Sequence, residues 1–162
     1  MKTPQLAALL FTCLLGLMPC AATAQPFVVS ADGQEVTDSA TGLIWRRCAE
    51  GMVFSLGACT GTASTFTHEL ALTRARTEAI ATGVAWRLPN VKELSSITDK
   101  SLSKPAIDAT AFPATPADVF WSSSPLIGQS AMAWHVSFFD GLVSVNTLRS
   151  TTLYVRLVRA GQ

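Results

Sequence analysis

The stretch WRLPNVKEL, Trp86 to Leu94, sets a large apolar residue, a fixed cation and a proline side by side and then changes period. Two readings of it compete: the floor of a binding or reactive site, or a corner around which a small domain closes. Val84 to Leu88 has an extended pattern, and Pro89 keeps Leu88 out of the helical region. Asn90 suits a helix N-cap, and Glu93, three residues on, suits the reciprocal half of a capping box. Val91, Leu94 and Ile97 then fall on one helical face. The stretch therefore predicts strand, tight corner and short helix, with Trp86 anchored in the centre. Arg87 faces the other way from Trp86, to meet an anion or, as the favoured reading, to pair with a carboxylate such as Asp118 or Asp140.

Before this corner, THELALTRARTEAIA (67–81) predicts a helix capped by Thr67, with Glu69 in its first turn and Gly83 as its stop. Leu72, Ala75 and Ala79, flanked by Leu70 and Ile80, form its apolar stripe, and Arg74, Arg76 and Glu78 a solvated face. Further upstream, VTDSATGLIW (36–45) reads as strand, turn, strand. Downstream, Asp99 to Phe120 carries Pro105, Pro113 and Pro116 and little periodicity. A loop this long is often functional, and Ile107 and Phe112 are positioned to pin it.

The C-terminal third predicts two strands around Asp140-Gly141, with a two-residue type I′ turn. That register pairs Phe138 with Val143, Val136 with Val145 and Trp134 with Thr147 on an apolar face. Ser137 with Ser144 and His135 with Asn146 then share a polar face. LYVRLVR (153–159) reads as one last strand, with Val155 and Leu157 inward and Arg156 outward.

The chain has 162 residues. Lys2, the apolar run Leu6–Met18 and the small residues Ala22-Thr23-Ala24 predict a signal peptide over 1–24, cut before Gln25. Pro19 before Cys20 does not suit lipidation. Residues 25–34 read as a short lead and 35–160 as a single domain. Removing Lys2 from 12 basic and 11 acidic side chains leaves a net charge of zero. That argues against nucleic acid as the partner. No later segment is apolar enough to span a bilayer.

Four cysteines fall to two, Cys48 and Cys59, once Cys13 and Cys20 leave. In an exported chain their simplest state is a disulfide, stabilising by roughly 3 kcal/mol in the chain-entropy model. Catalytic and metal signals are missing: no Gly-x-Ser-x-Gly elbow, no Cys-x-x-Cys, no glycine-rich phosphate loop. His68 and His135 lack metal-ligand spacing. Ser122-Ser123-Ser124 reads as surface or turn serines. Trp45, Trp86, Trp121 and Trp134 come one from each presumed core segment and are expected to share one interior.

Taken in order, TGLIWRR, GVAWRLPNVKEL, FPATPADVFWSSS, AWHVSFFDG and YVRLVR resemble a bacterial domain family typified by the C-terminal domain of the collagen-like adhesin Lcl. The resemblance spans about Val36 to Arg159. It implies an α+β, C-type-lectin-like fold: two helices on small antiparallel sheets, a C-terminal hairpin and one disulfide. It also implies an exported or surface-attached protein, and Lcl-like adhesins bind sulfated polysaccharides. The collagen-like stalk is absent here. The chain is similar, too, to the formylglycine-generating-enzyme branch of that fold, but no cysteine follows Cys59 to supply that enzyme's C-terminal pair. Leu88-Pro89-Asn90 lacks the first oxygen of a lectin calcium triplet.

The expected function is an exported, non-enzymatic binding or adhesion module of the periplasm or cell surface, without cofactor or metal. Its partner is an extracellular glycan or an envelope or surface protein. The alternatives are a structural subunit of a surface appendage or envelope complex, and an enzyme on a formylglycine-generating-like scaffold. Ligands of this fold usually meet the C-terminal hairpin and its neighbouring loops. The expected contacts are therefore His135, Asn146 and Arg149, with Ser123, Ser124 and Gln129 in the adjoining loop.

Overall fold

The structure, a computed structural model, describes residues 26–161. The expected signal peptide lies outside the described residues. The strands are β1 (Phe27–Val29), β2 (Glu35–Asp38), β3 (Leu43–Arg46), β4 (Val53–Ser55), β5 (Ala58–Thr60) and β6 (Thr65–Phe66). Helices α1 (His68–Thr82) and α2 (Val91–Ser96) follow. Then come β7 (Val119–Pro125), β8 (Met132–Ser137), β9 (Val143–Leu148), β10 (Leu153–Tyr154) and β11 (Val158–Ala160). They form an antiparallel sheet β1-β2-β3-β11, a mixed sheet β6-β10-β7-β8-β9 and the hairpin β4-β5. The expected α+β class, two helices and small sheets are present, but the sheets are not all antiparallel, since β10 runs parallel to β7. The lead is not unstructured: β1 pairs with β2, and Phe27 meets Phe112 edge-on at 5.1 Å.

The opening corner forms as its chemistry dictates. The Asn90 side chain accepts from the Glu93 N–H at 2.9 Å, and the Glu93 carboxylate accepts from the Asn90 N–H at 2.8 Å. Arg87 pairs with neither Asp118 nor Asp140. Its guanidinium donates twice to Glu93, at 2.7 and 2.8 Å, which holds that carboxyl below its ordinary range. Glu93 was the nearer acid, one helical turn inside the corner. Trp86 is buried and flanked by two guanidiniums, Arg46 at 4.7 Å and Arg159 at 5.6 Å from its ring.

The serine run is not a turn. Between Trp121↔His135 and Pro125↔Ala133, β7 spends four steps against two on β8, so Ser122–Ser124 bulge out of the ladder. The freed groups find other partners, as buried polar groups must. The Ser122 hydroxyl donates to Trp134 O at 2.7 Å. The Ser123 N–H donates to Pro89 O at 2.7 Å, and the Val91 N–H to Ser124 Oγ at 3.0 Å. The serines thus seal the strand onto the Leu-Pro-Asn corner, which explains why both belong to one signature.

Two clusters, not one, form the interior. Trp45 packs with Leu94, Ile97, Phe112 and Phe120 between the sheets. Trp86 and Trp121 pack with Ala71, Ala75 and Leu157 beneath α1. Trp134 is half-buried and belongs to neither, so the expectation of four indoles in one interior is corrected. Ile107 and Phe112 do pin the proline-rich loop, at 1% and 0% exposure. The Cys48–Cys59 disulfide, Cα–Cα 5.5 Å, ties β5 to the chain leaving β3.

Helix α1 is capped by Thr67 and stopped by Gly83 in the left-handed conformation at φ 68°. Its inner face is His68, Ala71 and Ala75, whereas Leu70, Leu72 and Ile80 are exposed. The reading by apolar periodicity was rotated because a buried histidine, not a leucine, opens the inner face. Nor are Arg74 and Glu78 a solvated face. Arg74 bridges Glu50 at 2.7 Å and Glu78 at 2.6 Å, and Glu78 also takes Arg46 at 3.1 Å.

The last segment is two strands in two different sheets. Val155-Arg156-Leu157 crosses between them, and Arg156, expected outward, is 0% exposed. Its guanidinium donates to Arg46 O at 2.9 Å, to Arg47 O and to Thr115 Oγ1 at 2.7 Å, and lies 4.9 Å from the Phe112 ring. Burial lowers its pKa to about 9, opposed by Glu50, so the group keeps its charge at neutral pH.

The β8–β9 hairpin differs in register from the type I′ expectation. Its observed pairs are Val136↔Val143, His135↔Ser144 and Ala133↔Thr147. The Phe138 N–H is taken by Asp118 O at 2.8 Å, which ends the ladder at Ser137. Residues 138–141 then form a four-residue loop, closed by Ser137 N–H to Leu142 O at 2.8 Å, with Gly141 at φ 76°. One extra β9 residue bulges opposite Trp134.

Candidate functional site

The six residues expected at a binding surface do not converge on one. His135 is 5% exposed, because its face of β8, shared with Ala133 and paired with Trp121, is covered by the cluster beneath α1; its ring lies 6.0 Å from that of Trp121. It is therefore not a free-face residue. Asn146 is exposed and accepts from Ser144 Oγ at 2.9 Å. Gln129 is exposed in the β7–β8 turn. Ser123 and Ser124 are on β7 rather than in that turn, and both bond to the corner.

Arg149 is committed to the fold. Its Nε and Nη2 lie 3.1 and 2.9 Å from His68 Nδ1, and Nη1 donates to Ser130 O at 3.3 Å. His68 is 1% exposed; its Nε2 is 3.0 Å from Ser122 O and its ring meets Trp121 edge-on at 5.3 Å. Donation from Nε2 to the carbonyl leaves Nδ1 as acceptor, the neutral tautomer that suits a guanidinium neighbour. Burial, reinforced by Arg149, lowers the His68 pKa, and burial lowers that of His135. Trp121 is thus framed by two imidazoles, and its Nε1–H donates to Phe66 O at 2.9 Å.

What the geometry does bring together is a trough along α1. One end, about 690 Å³, is walled by Thr67, Glu69, Leu72, Arg149 and Ser150. Leu72 also borders the next hollow, about 570 Å³, whose floor includes Ala75, Ala79, Trp86 and Leu88, with Arg76 and Ser123 on its walls. Of the six expected residues, Ser123 and Arg149 line this trough and the other four do not. Arg76 is exposed and, among the described residues, enters no hydrogen bond or ion pair. The trough joins an apolar floor to polar walls, the composition that binds small or extended ligands by contact with a few fixed polar groups. Arg76 was legible on the solvated face and is exposed, whereas Leu72 was expected in the apolar stripe; its outward aim follows from His68 taking the inner face.

Among the described residues, no group of three or more His, Cys, Asp or Glu side chains is disposed to hold a metal ion. No described helix is long and apolar enough to cross a membrane.

The fold is that of a disulfide-tied α+β domain, two small helices on short sheets, with a trough along its longer helix. The family model for the Lcl C-terminal domain matches residues 34–159, and the chain belongs to that family. No curated protein matches the chain.

Proposed function

We propose that this protein is an exported, non-enzymatic recognition module with a C-type-lectin-like arrangement, which takes an extracellular carbohydrate or an envelope or surface protein through the α1 trough. The observation that carries the reading is the trough itself: an open hollow with an apolar floor and an exposed cation, Arg76, on its wall, in a domain of the Lcl C-terminal family. Sugars present apolar ring faces and hydroxyls in alternation, and protein segments do the same with side chains and backbone. Either can span the Leu72 shoulder between the two hollows.

The test is a glycan array together with a pull-down from envelope extract, run on wild type and on Leu72→Asp/Arg76→Glu. Both residues are exposed, so the variant is expected to melt with wild type. Binding should fall about tenfold or more, as when one good contact is lost. Unchanged binding would remove the trough from the account, and no ligand in either screen would remove recognition. A second reading, a structural or assembly subunit of an envelope complex, is favoured by Leu70 and Ile80, exposed at 55% and 74% on the same helix. It predicts a stable complex with envelope protein and an empty glycan array.

A further inference from the structure

We propose that His68 and Arg149 form an acid-released latch: a proton taken up at His68 Nδ1 expels the Arg149 guanidinium into the hollow lined by Thr67, Glu69 and Leu72. What this does to a ligand rests on the trough reading above; the latch itself does not.

The other arginine pairs of the domain ignore mild acid. Arg46, Arg74, Arg87 and Arg159 each meet a glutamate. Carboxylates of that kind keep their charge down to about pH 4. Among the described residues, Arg149 alone takes an imidazole as its side-chain partner. Imidazole is the side chain whose ordinary charge change falls just below neutral pH.

The contact tolerates one protonation state. His68 Nε2, 3.0 Å from Ser122 O, holds a proton, because a carbonyl only accepts. Nδ1 is then the lone pair that receives Arg149 Nε and Nη2. A second proton fills that lone pair. It sets N–H against two N–H donors, and positive against positive, at a buried side chain.

The geometry decides which partner yields. The His68 ring is fixed by its bond to Ser122 O and by the edge of Trp121 at 5.3 Å. The backbone on both sides is pinned: the His68 N–H donates to Arg149 O at 3.0 Å, and the Arg149 N–H to Ala131 O at 2.8 Å. The Arg149 side chain has less to hold it. The residue is half-buried, and its remaining side-chain bond is the one to Ser130 O at 3.3 Å. Beside it lies a hollow of about 690 Å³ whose wall includes Glu69, a carboxylate in no ion pair among the described residues. Swinging there gives the guanidinium an acid partner and fills the space, so acid shuts this end of the trough.

The elements packed on His68 supply no rival charge. Strand β6 carries Thr65 and Phe66, and β7 presents Trp121 and Ser122. Beyond Trp121, β8 places His135, whose pKa burial also lowers. On α1 itself the neighbouring charge is Glu69, on the wall of the hollow.

NMR of the histidine and arginine side-chain nitrogens, on protein purified after expression of the full chain and titrated from about pH 8 to about pH 4, tests this directly. At the upper end His68 should carry its proton on Nε2 alone. As Nδ1 is protonated, the Arg149 Nε–H should lose protection about tenfold or more relative to the exposed Arg76, with the same midpoint. The titration of His135 should leave Arg149 unmoved. His68→Gln keeps an acceptor for Arg149 and a donor for Ser122 O but takes up no proton, so Arg149 should stay protected throughout. Arg149→Gln removes the cation and should raise the His68 midpoint. The latch is overturned if Arg149 stays protected while His68 protonates, if His68→Gln releases Arg149 as wild type does, if Arg149→Gln leaves the midpoint in place, or if the whole domain melts before His68 titrates. No ligand enters this titration, so an empty glycan array would end the trough reading and leave the latch standing.

Discussion

Two neighbouring stretches of the C-terminal third have opposite fates. Val155 to Val158 crosses from one sheet to the other with every residue buried, its cation included. Val143 to Leu148, seven residues upstream of that crossing, touches little besides β8 and leaves two of its three apolar side chains, Val143 and Leu148, exposed. The first gains its stability from enclosure; the second adds surface to a domain that is already closed. A small domain can thus hold its shape with one segment and offer another to partners, provided each side chain in the first finds a bond.

That contrast breaks most visibly at Arg156. Replacing Arg156 by alanine removes a fully buried side chain and strands the carbonyls of Arg46 and Arg47, and should cost about 3–5 kcal/mol in urea unfolding. Methionine at the same position sharpens the point. It keeps the volume and avoids a buried charge, so it should cost less than alanine and can come out near neutral. Removing the Cys48–Cys59 link by a double serine substitution should cost roughly 3 kcal/mol, because it frees a closed loop in the unfolded chain.

Acid should act through His68 and His135. Both have folded pKa values depressed below 6.5, chiefly by burial. The unfolded state therefore binds protons first as pH falls. Stability is complete above about pH 6.5 and declines below it, by at most about 1.4 kcal/mol per pH unit for each histidine. His68→Gln should flatten this decline, measured as the urea midpoint against pH. Asn90→Ala, which removes one half of the capping box, should cost about 1 kcal/mol. At the other end of the scale, Leu148→Thr on β9 should change monomer stability by less than about 0.5 kcal/mol.

The corner at Trp86–Leu94 was legible because its signals are local: proline, N-cap and capping box all lie within five residues. The α1 caps and the turn after β2 were legible for the same reason, and the disulfide from the cysteine count. The Arg87 partner was missed although Glu93 was in view, since sequence offers several acids and geometry chooses one. The hairpin register was lost to a distant competitor, the Asp118 carbonyl, which takes the Phe138 N–H and lengthens the turn. Arg156 was misread for a related reason: alternation assigns it outward, but the segment leaves one sheet and enters another. His68 hid the face of α1, because periodicity counts leucines and a buried histidine with two bonded nitrogens does not register. The trough inherits this last miss, since Leu72 is outward only once His68 is inward.

Native-state hydrogen exchange compares the two stretches in one experiment. The amides of Val155 to Val158 should exchange only through global unfolding, with the protection of the whole domain. Those of Val143 to Leu148 should open locally at much lower free energy. Equal protection of both stretches, or exchange of Arg156 ahead of Val145, would contradict the division of the domain into an enclosed frame and an available edge.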